Sequence, residues 1–239
     1  MFDIGIIGAG PAGYTAAIRA SQMGLSVVLF EKGEIGGTCL NRGCIPTKTI
    51  LYCAELYKDI KNCSKFGIDA EKITLDFGKV MQRQRLVTEK IRKNLTNLIK
   101  GFGITIIQEE AEIENEHVIK TENGIFEVKN IIIASGSKPN KIKFNGSYDE
   151  NFVLTSDDIL NINILPNSIL IVGSGAIGIE WARIMSAFGV KVYLVEMLNQ
   201  LMPSADVEIS ERIARLLKKN RIDFYTSTTI EKIENKNIT

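Results

Sequence analysis

The sequence predicts an α/β chain made of two βαβ units, the first carrying an antiparallel β-rich insert and the second incomplete. Two observations carry that expectation. One is an internal echo: "IGIIGAGPAGYTAAIRASQMGLSVVLFEK" from Ile4 is matched by "LIVGSGAIGIEWARIMSAFGVKVYLVEM" from Leu170, so that Gly8, Gly10, Gly13, Gly24 and Glu31 align with Gly173, Gly175, Gly178, Gly189 and Glu196, each 165 positions later. The other is the pattern inside each copy, an apolar run, a glycine-rich turn, a helical period and a second apolar run ending in Glu.

The elements follow in order. "FDIGIIG" is a buried strand, the turn after it is glycine-rich, and Pro11 suits the opening turn of a helix, where its missing N–H costs nothing. "SVVLFEK" closes the first βαβ unit. Further on, "FGKVMQRQRLVTEKIRKNLTNLIKG" places Val80, Val87, Ile91, Leu95 and Leu98 at helical spacing, with Lys and Arg on the other side as a solvated face. "GITIIQEEAEIENEHVIKTENGIFEVKNIIIASG" reads as short strands broken at Asn115 and at residues 122–124, returning to a parallel strand at Ile131–Ile133. The polar, turn-rich stretch 137–150 is the expected linker, and Pro166 precedes the second unit.

Composition narrows the function classes. The chain has 239 residues, 45% hydrophobic and 24% charged, and its 29 basic and 28 acidic side chains leave a net charge of +1. Nothing in that balance favours nucleic acid or an anionic membrane. No apolar stretch approaches the roughly 18–20 residues of a membrane helix, and no basic leader precedes the first strand, so a cytoplasmic protein is expected. In that compartment four cysteines are reactive or buried thiols rather than a disulfide framework.

The spacing G-x-G-x-x-G has a physical reason. The first glycine permits the tight turn, the second lets backbone approach a pyrophosphate, and the third lets helix and strand pack closely, with the phosphates against the positive end of the helix. Both copies follow a strand, and each has a Glu 23 residues beyond its first glycine, placed to accept from a ribose hydroxyl. Two Rossmann-like dinucleotide-binding units are therefore expected. Glu196 would repel a 2′-phosphate, and "MLNQLMPSAD" after it supplies no Arg or Lys, so the second unit suits NAD rather than NADP.

"GGTCLNRGCIPTK", residues 36–48, sets Cys39 and Cys44 five positions apart. In a regular helix that spacing separates the Cα atoms by about 8.6 Å, beyond the roughly 7 Å a disulfide spans, so a bond there needs a distorted turn. Pro46 belongs in an opening helical turn, which puts Cys44 at a helix N-terminus where the backbone dipole favours a thiolate. Lys48 adds positive charge one turn on. C-x4-C is the wrong spacing for a zinc knuckle and the chain has one histidine, so no metal is expected. An oxidisable pair and two unrelated buried thiols remain the competing readings.

With these residues in view, the chain resembles the flavoprotein disulfide reductases, the class I pyridine nucleotide-disulfide oxidoreductases. "CLNRGCIP" is most similar to the dihydrolipoamide dehydrogenases, and "IIIASGSKP" and "GSGAIGIEWA" with "VEM" extend the likeness to the end. The resemblance implies an FAD site at Gly8, Gly10, Pro11, Ala12 and Gly13 for the pyrophosphate and Glu31 for the adenosine ribose. Lys32, Gly36, Gly37, Thr38 and Lys48 would lie along the cofactor, Ala111 near adenine, and Ser135 and Gly136 in the segment where the family has ATG. NAD would be held by Gly173, Ser174, Gly175, Ala176, Ile177, Gly178, Glu180 and Glu196. The same resemblance makes Cys39 the interchange thiol, Cys44 the sulfur beside the flavin, and Glu180 the partner of Lys48, with Cys39 and Cys44 forming the redox disulfide. Residues 1–145 become an FAD-binding domain and 146–239 a truncated NAD-binding domain.

The resemblance further implies a lipoyl domain of a 2-oxoacid dehydrogenase or glycine cleavage complex as partner and a homodimer in the full-length family, with no nucleic acid and no membrane. Relative to that family the chain stops before the C-terminal dimerisation domain and its His–Glu pair. Low lipoamide turnover, weak flavin retention and poor solution behaviour are therefore expected. His117 reads as a surface or sheet residue. The alternatives are another flavoprotein disulfide reductase, acting on glutathione disulfide or mercuric ion, and a non-catalytic FAD- and NAD-binding fragment.

Overall fold

The computed structural model describes residues 1–140, 142–234 and 237–238, in two compact units. One unit comprises Met1–Thr47 and Gln84–Pro139, the other Lys48–Arg83 and Asn140–Thr239. The change at Pro139 falls inside the polar stretch expected as linker, of which residue 141 lies outside the described residues.

In the first unit, β1 (Phe2–Ile7), α1 (Pro11–Gln22) and β2 (Val27–Phe30) form the leading βαβ element. Two further helices follow, α2 (Gly37–Asn41) and α3 (Cys44–Lys61), the latter running on into the second unit. The long α4 (Phe77–Gly101) enters from the second unit and leads to β3 (Thr105–Ile107), β4 (Glu112–Asn115), β5 (Val118–Thr121) and β6 (Gly124–Ile133). The sheet order is β3-β2-β1-β6-β5-β4. β6 is one continuous strand with two neighbours, antiparallel to β5 and parallel to β1 from Phe2↔Val128 to Ile7↔Ile133. All four residues of β2 are buried, as a parallel strand covered on both faces requires. Val27 and Leu29 face a cluster with Ala17 and Ala20 of α1 and Ile99 of α4. Val28 and Phe30 face Ile119 and Val128, with the Phe30 and Phe126 rings edge to face at 5.1 Å.

The second unit repeats the plan in β7 (Ser168–Val172), α5 (Ala176–Ala187) and β8 (Lys191–Val195), followed by α6 (Val207–Lys219) and β9 (Asp223–Tyr225). The order is β7-β8-β9, all parallel. The short antiparallel pair β10 (Ile233–Glu234) and β11 (Asn237–Ile238) ends the described chain. Its core joins Ile50 and Ala54 of α3 and Met81 of α4 to Trp181 and Met185 of α5, Leu194 of β8 and Leu217 of α6.

The echo extends to the hydrogen-bond ladder. β1 pairs with β2 from Ile4↔Val27 to Ile7↔Phe30, and β7 with β8 from Ile169↔Val192 to Val172↔Val195, the same register displaced by 165 residues. The third strands agree as well, Phe30↔Ile107 in one unit matching Val195↔Tyr225 in the other.

One expectation is corrected. The buried stripe of α4 is Phe77, Met81, Gln84, Thr88 and Ile99, whereas Ile91 and Leu98 are exposed at 37% and 51%. Gln84 Nε2 donates to Thr88 Oγ1 at 3.1 Å, so two polar side chains one turn apart satisfy each other and occupy buried positions that an apolar count assigns elsewhere.

Candidate functional site

In the first glycine turn Gly8 adopts φ +102°, and a Cβ there would lie 2.3 Å from the Ala134 carbonyl oxygen. A Cβ at Gly13 would lie 1.7 Å from the Gly8 oxygen, so α1 seats directly on the turn. The second turn repeats both constraints, with Gly173 at φ +95° and a Cβ at Gly178 only 2.0 Å from the Gly173 oxygen. The fold itself demands glycine at these positions.

It does not demand the middle ones. Gly10 and Gly175 are N-caps with ordinary φ of −74° and −67°. A Cβ at Gly175 would meet nothing within 4 Å, and one at Gly10 only Gly37 Cα at 3.6 Å. What they keep clear is the space before the helix ends, where neither helix has a side-chain cap and the first-turn N–H groups of Ala12 and Gly13, and of Ala176, Ile177 and Gly178, are presented. That is a fit for a phosphate pair against bare backbone. Pro11 at the head of α1 contributes no donor.

The two strand-end acids are stitched to these turns. Glu31 accepts from the Ala9 N–H and the Gly33 N–H, both at 2.8 Å. Glu196, 6% exposed, accepts from the Ser174 N–H and Oγ–H, both at 2.8 Å, and from the Leu198 N–H at 3.0 Å. Each bond of Glu31 thus has its counterpart 165 residues on. Two acceptor bonds leave the Glu31 carboxylate capacity for a ribose hydroxyl. Burial raises the Glu196 pKa, but the N–H groups of Leu198 and Ser174, the Ser174 hydroxyl and the Met197 N–H outweigh it and hold it below the ordinary range. A carboxyl depressed on folding stabilises fully above its unfolded value of about 4.3, and that contribution is lost as pH falls through the folded value. Urea unfolding at pH 5 and pH 3.5 should show a steeper loss of stability for the parent chain than for Glu196→Gln.

More of the first unit converges on its turn. The Gly36 N–H donates to the Ala9 carbonyl at 2.9 Å, and a Cβ on Gly37, at φ +60°, would stand 2.6 Å from Gly10 Cα. Ser135 N is 3.2 Å from the place a Gly8 Cβ would take, and Gly136 follows at φ +70°. Thr38 is exposed in α2. Lys32 points elsewhere, donating to Glu110 at 2.6 Å, and Ala111 packs into the cluster of Phe30 and Val128.

The cysteines occupy two helices rather than one. Cys39 sits half-buried in the middle of α2, the chain breaks at Arg42 and Gly43, and Cys44 opens α3 as an exposed free thiol, with Pro46 in its first turn. A Cβ at Gly43 would lie 3.0 Å from the Thr38 oxygen and 3.3 Å from Cys39 Cα, so the backbone doubles back against residue 39. One turn into α3, Lys48 donates to Glu180 Oε1 at 2.6 Å. With 54% and 31% of the side chains exposed, that ion pair contributes at most about 1 kcal/mol to stability.

Sequence reasoning missed Asn41. Its Nδ2 lies within hydrogen-bond distance of the carbonyls of Glu34, Ile35 and Gly37, at 3.0–3.1 Å. Its Oδ1 accepts from Arg92, which also pairs with Glu34. Asn41 thereby ties the end of α2 to the segment before it and to α4, and nothing in the spacing of its neighbours signals it. His117 is on the β4–β5 turn with 61% of its side chain exposed. Among the described residues no group of three or more His, Cys, Asp or Glu side chains is placed to hold a metal ion, and no helix is long and apolar enough to cross a membrane.

Comparison with known proteins agrees with this geometry. The family described as pyridine nucleotide-disulphide oxidoreductase matches residues 2–239. A dihydrolipoyl dehydrogenase of Bacillus subtilis is 38% identical over 96% of this chain and 51% of its own length. One of Acholeplasma laidlawii is 34% identical over 100% and 72%. The HOCl-induced flavoprotein disulfide reductase RclA from Escherichia coli superposes with a TM-score of 0.85 at 28% identity, covering 100% of this chain and 53% of that one. The chain thus spans about half the length of the Bacillus relative and of RclA. With the paired glycine turns, their matching acids and the two cysteines in place, the chain belongs to the pyridine nucleotide-disulphide oxidoreductase family.

Proposed function

We propose that the chain is the nucleotide-binding part of an FAD-dependent dihydrolipoamide dehydrogenase, oxidising protein-bound dihydrolipoyl groups and reducing NAD⁺. The observation that carries this reading is the cysteine turn: an exposed Cys44 thiol at the head of α3, with Gly43 drawn against Cys39, in a chain with two dinucleotide turns. Residues 1–145 then bind FAD and residues 146–239 NAD, and the electron donor is a lipoyl domain of a 2-oxoacid dehydrogenase or glycine cleavage complex. A homodimer and a cytoplasmic location belong to the same proposal.

In the oxidised form a substrate thiolate attacks Cys39 Sγ, the Cys39–Cys44 bond breaks, and Cys44 leaves as thiolate at the positive end of α3. The second substrate sulfur, deprotonated, displaces Cys39, so the substrate departs as a disulfide and the chain keeps two electrons as its dithiol. When held by the first turn and Glu31, FAD would supply the two-electron relay between this dithiol and the nicotinamide, the overall exchange releasing one proton. Lys48, anchored by Glu180, holds a fixed positive charge one turn beyond Cys44. Glu31 and Glu196 orient the two adenosine ribose groups, and the open turns at Gly10 and Gly175 admit the pyrophosphates.

The test runs the reaction backwards on the FAD-loaded, oxidised chain. Anaerobic NADH should produce two additional thiols per chain reactive with a chromogenic disulfide, NADPH should do so far more weakly, and lipoamide should reverse the change. Flavin reduction with no new thiols would reduce the protein to a nucleotide-binding module. Reversal by glutathione disulfide in preference to lipoamide would move it to another branch of the family.

A further inference from the structure

The two glycine turns differ at one buried position. Where the first has Ala9, the second has Ser174, fully buried. Its backbone repeats what Ala9 does: the N–H donates to the strand-end acid, and the carbonyl accepts from the segment after the second strand, Gly36 N–H in one case and Met202 N–H at 3.1 Å in the other. The hydroxyl is the addition. Ser174 Oγ donates to Glu196 Oε2 at 2.8 Å and accepts from Met202 N–H at 3.2 Å.

Met202 is where that addition counts. In the first unit the corresponding segment bends through Gly36 and Gly37, which take positive φ without penalty. In the second, Met202 holds φ +45°, a conformation that side-chain-bearing residues avoid. The loop is otherwise closed by Ala205 N–H to the Met202 carbonyl at 2.8 Å, by Gln200 Nε2 to the Ala205 carbonyl at 3.1 Å, and by buried Leu201. One hydroxyl thus ties together the turn, the acid and the loop that flank the adenosine end of the site.

We infer that Ser174 is a positioning residue that fixes the Glu196 carboxylate and the loop over residues 197–206, and so sets the preference of the second unit for a ribose 2′-hydroxyl over a 2′-phosphate. The inference rests on the NAD reading of this unit. A carboxylate held by three donors at 2.8–3.0 Å presents one orientation to the ribose. Without the hydroxyl, Glu196 loses a charge-assisted bond and Met202 one of its two acceptors, so acid and loop both gain freedom.

Ser174→Ala places in the second turn the residue the first already uses, so the variant should fold. In the FAD-loaded chain, NADH affinity by fluorescence titration should fall about tenfold, the cost of fixing on binding an acid and a loop that the variant no longer holds in place beforehand. NADPH affinity should change less, so the NADH:NADPH ratio narrows, while bound FAD stays the same. In a double-mutant cycle, Ser174→Ala should have a smaller effect on a Glu196→Gln background than in the parent, because part of its action passes through that acid. NADH affinity within twofold of the parent, equal losses for NADH and NADPH, or an undiminished effect beside Glu196→Gln would overturn the inference while leaving NAD binding intact. A parent chain that does not bind NADH would overturn both.

Discussion

Gly178→Ala is expected to unfold the second unit, whereas Gly175→Ala is expected to leave it folded but unable to bind NADH. The added methyl at residue 178 would sit 2.0 Å from the Gly173 carbonyl oxygen and 3.5 Å from Ile171 Cγ2. A backbone oxygen cannot rotate away, so relief requires lifting α5 off β7. Overpacking that side chains can absorb costs about 1–3 kcal/mol, and a clash with fixed backbone exceeds it, on the order of 4 kcal/mol or more. Against a typical total of about 5–15 kcal/mol, most of the unit's stability is lost. At residue 175 the methyl meets nothing within 4 Å and φ is an ordinary −67°, so stability should change by no more than about 1 kcal/mol. Urea unfolding and NADH titration of the two variants separate the cases. A Gly175→Ala chain that binds NADH like the parent would show that the turn does not approach a pyrophosphate. Gly13→Ala and Gly10→Ala should behave alike in the first unit, with FAD as the ligand.

Replacing either sulfur should abolish electron transfer to disulfides. Cys39→Ser and Cys44→Ser each leave one thiol and a hydroxyl, which cannot close a disulfide, so the two NADH-dependent thiols fall to none, and with them goes the lipoamide turnover that the parent chain shows. FAD content should be retained in both, because the cradle at Gly8, Gly10, Gly13 and Glu31 is untouched. The two variants should still differ. Cys39, the sulfur the substrate reaches, should alkylate in FAD-loaded Cys44→Ser, whereas Cys44, exposed in the chain alone, should be shielded by bound FAD in Cys39→Ser and become reactive once the flavin is removed. Full lipoamide turnover in either variant would remove the pair from the electron path.

The sequence made the duplicated units and both glycine turns legible because each turn position answers to a local constraint: a positive φ at Gly8 and Gly173, a helix seated on a carbonyl at Gly13 and Gly178. The break between the cysteines was half legible. Pro46 marks the start of α3, but the pinch at Gly43 depends on its distance from Cys39 Cα, which spacing does not encode. Helix α4 misled because Gln84 and Thr88 are buried as a mutually bonded pair while Ile91 and Leu98 lie exposed. Long-range partners such as Arg92 for Asn41 leave no periodic trace. The grouping of residues 48–83 with the second unit likewise reflects tertiary packing of Ile50, Ala54 and Met81 that no linker composition announces.

Between the second and third strands of the first ladder the chain runs through residues 31–104, of which 48–83 belong to the second unit, and between those of the second ladder only through 196–222, yet both ladders close in the same alignment. Two strands already paired tolerate growth in the loop that joins them, since lengthening such a loop adds only slowly to its closure entropy. The sulfur chemistry therefore occupies an excursion whose length the strand ladder does not dictate, although the same excursion supplies Ile35 and Ile99 to one core and Ile50, Ala54 and Met81 to the other. Exchanging that excursion for a short connector should therefore destabilise both units, because each loses core side chains along with the two cysteines.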